Sequence, residues 1–112
     1  MPALSISSPR GTITISRDVV AEIVAETAAR CYGVVGLVSA SRVGRVLRRD
    51  GVSIGGDADG VRIELHIVIE YGLNLAEVAA TVRSQVAYEV ERVTGLPVGG
   101  VEVVVQDVRQ SA

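Results

Sequence analysis

Between Val61 and Tyr71 the chain alternates without interruption. Val61, Ile63, Leu65, Ile67, Ile69 and Tyr71 fall on one side, and Arg62, Glu64, His66, Val68 and Glu70 on the other. A period of two held this long predicts a β-strand with one face on a core and the other in polar surroundings. On either side the period lengthens to that of a helix. Val20, Ile23, Val24, Thr27 and Cys31 predict a first helix from about Arg17 to Tyr32. Ser16 serves as its N-cap, Asp18 lies in its first turn, and Gly33 ends it. Glu26 and Arg30 lie opposite the apolar stripe at i,i+4 spacing. Leu75, Val78, Ala79, Val82, Val86, Val90 and Val93 predict a second helix. Asn74 with Glu77 forms a capping box, Leu73 and Val78 occupy staple positions, and Thr94-Gly95 with Pro97 stops the helix.

Shorter signals fill the remainder. Gly11–Ile15 alternates as a strand, Gly51–Ile54 reads as another ahead of the turn-rich stretch to Gly60, and Gly100–Val108 gives the last, with Val101, Val103 and Val105 inward. Val34–Val38 is apolar and fits either a strand or a packed loop. Val43, Val46 and Leu47 have the spacing of a short amphipathic helix with Arg42, Arg45, Arg48 and Arg49 outside. The order β-α-β-β-α-β predicts an α+β two-layer sandwich, a mainly antiparallel sheet with two helices on one face. A ferredoxin-like arrangement shares that order. The expected division is a flexible tail over residues 1–10, one domain over 11–108 and a short tail over 109–112.

Composition narrows the function classes. A chain of 112 residues that is 48% hydrophobic folds as one domain rather than staying disordered. Its apolar mass is aliphatic: there is no Trp or Phe, and three Tyr. That scarcity removes the stacking platform of a single-strand nucleic-acid binder, and a net charge of −2 offers no global basic field. Composition therefore argues against nucleic acid as a partner. The single Cys31 leaves no internal disulfide and no cysteine-built metal centre. No stretch approaches the apolar length of a transmembrane helix, so a cytoplasmic location is expected.

The sequence supplies little for catalysis. His66 lies mid-strand and reads as a solvated sheet residue, and Cys31 as an inert thiol on a buried stripe. Asp57 and Asp59 resemble part of a calcium loop, but the remaining ligands are missing and a hairpin turn accounts for them. We expect no catalytic, cofactor or metal site. Two surfaces remain as candidates. One is the basic patch Arg42, Arg45, Arg48 and Arg49, suited to anionic headgroups, an acidic partner or phosphate, with RNA binding as the alternative function. The other is the polar sheet face, where Glu64, His66, Val68, Val104 and Val108 offer a semi-polar surface for a protein partner or self-association.

The ordered motifs resemble the alkaline-shock (Gls-type general stress) proteins. They are Gly11-Thr12-Ile13-Thr14-Ile15-Ser16 leading to Val19-Val20-Ala21, then Gly33-Val34-Val35-Gly36-Leu37, Gly51-Val52, Glu70-Tyr71-Gly72, Val93-Thr94-Gly95-Leu96, Val98 and Val101–Val105. The resemblance implies a bacterial, non-enzymatic protein of the envelope stress response, acting by protein binding or self-assembly. Some members are held at the inner face of the cytoplasmic membrane by a separate small membrane protein, and relatives are associated with lipid synthesis. A homo-oligomer and such a membrane anchor are thus the implied partners, and the family supplies no catalytic residues.

Overall fold

A computed structural model describes residues 4–38, 51–57 and 60–110. Two helices and six strands occur in these segments: β1 (Leu4–Ser8), β2 (Gly11–Ile15), α1 (Arg17–Arg30), β3 (Val34–Leu37), β4 (Val52–Asp57), β5 (Gly60–Glu70), α2 (Leu75–Thr94) and β6 (Val98–Arg109). The fold is α+β, as the periodicities require, with both helices on one face of the main sheet.

The long alternating segment is the centre of that sheet. Along one edge of β5, β4 pairs antiparallel with its first half (Val52 opposite Leu65, Ile54 opposite Ile63) and β3 with its second (Val34 opposite Ile69, Leu37 opposite Ile67). Along the other edge β6 runs parallel, with Leu65 opposite Val103 and Ile67 opposite Val105. A parallel pair needs a long crossover, and α2 provides it. The stretch from Val34, open in the sequence between strand and packed loop, forms strand β3.

The core lies between this sheet and the helices. From β5 it takes Val61, Ile63, Leu65, Ile67 and Ile69, from β4 Val52 and Ile54, from α1 Val20, Ala21, Val24 and Ala28, and from α2 Val78, Val82, Val86 and Val90. Helix α1 packs on β3 and β4, α2 packs on β6, and the helices touch each other. Each fully buried valine contributes about 1.5 kcal/mol or more of apolar transfer.

The helix boundaries follow local chemistry. Ser16 Oγ accepts the amides of Asp18 and Val19, at 3.1 and 3.4 Å. Asn74 Oδ1 accepts the amide of Glu77 at 3.0 Å, and Gly95 closes α2 in the left-handed region with φ 77°. Glu26 and Arg30 pair on the exposed side of α1 at 3.7 Å. Two stripes differ from expectation. Ala21 and Ala28 join the buried side of α1, while Ile23 is half-buried and Cys31 lies beyond the last turn as the C-cap. Leu75 and Val93, at the ends of α2, are 38% and 51% exposed.

The N-terminal residues expected to be a loose tail instead form β1, paired antiparallel with β2 from Leu4 opposite Ile15 to Ser8 opposite Gly11. This hairpin is a separate two-stranded sheet. Such a ribbon is marginal alone, and it is held at its base, where Leu4 and Ile15 pack against the main core. The expected helix around Val43, Val46 and Leu47 lies outside the described residues.

Candidate binding face and family

Among the described residues the second face of the main sheet carries no helix. Across it the register aligns Ser53, Glu64 and Glu102 in one row and Gly55, Arg62 and Gly100 in the next. These residues line an open groove of about 390 Å³. Gly55 and Gly100 leave space on both sides of Arg62. A Cβ on Gly100 would lie 3.1 Å from the Arg62 guanidinium, so this side chain extends over the bare strand. The row of Glu64 beside Glu102 sets two carboxylates on neighbouring strands, with the guanidinium one row away. Opposite charges and open backbone suit a polar protein surface. The groove lacks the apolar walls of a small-molecule pocket.

Further along β5 the face changes character. His66 was expected to be solvated, and the structure corrects this: it is 7% exposed, and its neighbour on the same face, Val68, is 1% exposed. His66 Nε2 lies 2.8 Å from Glu64 Oε2, and Nδ1 lies 2.9 Å from Gln106 Oε1. Both ring nitrogens are thus engaged, one within the strand and one across to β6. The ring's role is to clip β5 to β6. The backbone of His66 does the same on the other edge, donating to Gly51 O at 2.9 Å and accepting from Val38 N at 3.1 Å. Gly51 can close this neck only with φ 77°, since a Cβ would lie 2.6 Å from Val38 O.

The other predicted residues are placed as follows. Val104 is half-buried opposite His66, so the structure brings Glu64, His66 and Val104 together. Val108 does not join them. A register shift at Gln106 aligns it with Ile69, on the helix side. Arg42, Arg45, Arg48 and Arg49 lie outside the described residues. Cys31 donates its thiol to Thr27 O at 3.5 Å, and burial raises its pKa above the ordinary value. Among the described residues no group of three or more His, Cys, Asp or Glu is arranged to hold a metal ion.

The sequence pattern groups Tyr71 with the core-facing positions of the alternating strand and gives Tyr32 and Tyr88 no role, whereas the structure exposes all three. Tyr32, Tyr71 and Tyr88 are 78%, 67% and 62% exposed. Tyr32 also borders a small groove with Leu73, Asn74, Glu77 and Thr81. The available signal was position: Tyr32 follows the C-cap of α1, Tyr71 directly follows β5, and Tyr88 falls off the Val78, Val82, Val86, Val90 stripe.

Similar proteins support the fold and extend it to a family. Two variants of the MamM CTD superpose with a TM-score of 0.53, covering 80% of this chain and 93% of theirs. At 13% and 14% identity they share the fold alone. YloU, an uncharacterized protein of Bacillus subtilis, is 31% identical over 115 residues, spanning 96% of each chain. Spy1614, an uncharacterized protein of Streptococcus pyogenes, is 29% identical over 114 residues, spanning 95% of this chain and 94% of its own. The profile of a family described by a cell envelope-related function matches residues 5–110, nearly the whole chain described above. The chain therefore belongs to the alkaline shock protein 23 family.

Proposed function

We propose that this chain is a non-enzymatic protein of the envelope stress response that works by protein–protein binding, self-assembly included, at the inner face of the cytoplasmic membrane. One observation carries the reading. The helices seal one side of the sheet, while the opposite side presents Arg62, Glu64 and Glu102 around an open groove. Charged groups of both signs on a rigid strand surface give orientation and specificity to a docking partner. The only histidine in the chain is tied into the sheet by both ring nitrogens, which argues against acid–base chemistry on this face. Among the described residues no helix is long and apolar enough to cross a membrane. On this reading a partner supplies the membrane anchor.

The test is affinity capture from native lysate with the membrane fraction retained, comparing the natural chain with Glu102→Arg. This residue is exposed on the groove, so its reversal leaves the core intact. The expected result is a protein partner captured by the natural chain and lost by the variant, with unchanged circular dichroism. Equal recovery by both chains, or no partner with a monodisperse monomer at high concentration, would refute the reading.

A further inference from the structure

Among the described residues the outer edge of β6 pairs with no other strand. Val61 and Tyr71 donate their amides across to β6, at Pro97 O and Arg109 O, whereas His66 and Glu70 donate to Gly51 O and Gly33 O on the other side. Odd-numbered positions of β5 thus turn their backbone groups to β6. In a parallel ladder these groups bond the residue opposite each even position. Glu102 opposite Glu64 and Val104 opposite His66 are bonded in this way. Val101, Val103 and Val105 lie opposite Ile63, Leu65 and Ile67, and direct their N–H and C=O groups outward. Among the described residues no strand lies against that edge.

The segment has defined ends. Register shifts bracket it at Gly99 and at Gln106. Beyond the second shift the amide of Val108 is already capped by Asp107 Oδ1 at 2.8 Å. The straight, uncapped stretch is therefore Val101–Val105. Its side chains show the same incompleteness. Ile63, Leu65 and Ile67 are 3%, 0% and 0% exposed, yet the valines beside them on β6 are only half-buried. Helix α2 covers these valines from one side only, and the strand edge beside them stays open among the described residues.

We propose that a second copy of this chain occupies the edge, its β6 antiparallel to the first and centred on Val103. This deepens the self-assembly part of the reading above and rests on it. The stretch is symmetric where symmetry matters: about Val103, Val101 of one copy meets Val105 of the other, and Val103 meets its own counterpart. On the opposite face Glu102 meets Val104, so no two carboxylates are opposed. Centring on Glu102 instead would oppose two glutamates, and centring on Val104 would run Glu102 into the bulge at Gln106. Like charges directly opposite destabilise a ladder, and aliphatic β-branched pairs stabilise it. A two-fold axis normal to the sheet keeps all four helices on one side and leaves both grooves open.

Sedimentation velocity over a wide concentration range, with amide hydrogen exchange on the same samples, tests the pairing. The expected result is a reversible dimer whose Val101, Val103 and Val105 amides gain protection as concentration rises. Val104→Glu places a carboxylate opposite Glu102 twice per dimer and weakens association roughly fivefold. Val104→Arg puts a charge of the opposite sign at the same half-buried position and does not weaken it. A monomer at every concentration overturns the pairing and leaves the edge to an extended segment of another protein. A dimer without protection of these amides, or equal dissociation constants for Glu and Arg at 104, overturns this seam while self-assembly through another surface stands.

Discussion

Val82→Ala tests the packing that holds α2 to the sheet. Val82 is 0% exposed, on the stripe with Val78, Val86 and Val90. Truncation removes two methyl groups' worth of apolar contact, about 0.8 kcal/mol each in transfer terms. A cavity term adds to this where helix and sheet do not close the gap. The better helix propensity of alanine offsets about 0.5 kcal/mol. The net expectation is a loss of about 2 kcal/mol, a drop of about 8 °C in Tm for a domain of this size. Val93→Ala makes the same chemical change in the same helix at a position 51% exposed, and should cost under about 0.5 kcal/mol. Urea denaturation followed by circular dichroism at the helix band measures both. Equal losses at the two positions, or none at Val82, would show that α2 does not bury the face described.

Gly51→Ala forces a side chain into the left-handed region against Val38 O and should cost about 2 kcal/mol or more, whereas Gly36→Ala, with nothing within 4 Å of the added methyl, should be neutral or slightly stabilising in the same melts. His66→Ala removes the clip to Glu64 and Gln106 and should destabilise by about 2 kcal/mol, while Glu70→Gln on the same face leaves the denaturation midpoint unchanged. At Cys31 burial favours the neutral thiol. That contribution to stability is complete below the ordinary cysteine range, about pH 8.5, and is lost as pH rises through the raised value. The folded chain should therefore alkylate more slowly at pH 8 than the denatured chain, and Cys31→Ser should remove the alkaline slope. Equal alkylation rates would contradict the burial.

Local chemistry was readable in the sequence. The caps at Ser16, Asn74 and Gly95 depend on neighbours within a turn, and each is where its spacing placed it. The alternation of β5 likewise identified its core face. Alternation says which residues share a side, though not whether that side is wet, so the burial of His66 and Val68 could not be read from it. The register shift at Gln106 moved Val108 to the helix side for a similar reason: a bulge is set by the partner strand, not by local preference. β1 was missed because Pro2, Pro9 and the serines between them suggest a tail. Pairing with β2 and anchorage of Leu4 on the core outweigh that composition.

Each of β3, β4 and β6 bonds to β5, and the sheet path joins none of them directly to another. Such a sheet has a single spine and no redundancy. One outer strand can be lost while the other three remain joined, but a kink or proline in β5 disconnects all of them at once. Sequence drift should accordingly be slowest along Val61–Ile69, and a break there would abolish the domain rather than weaken it.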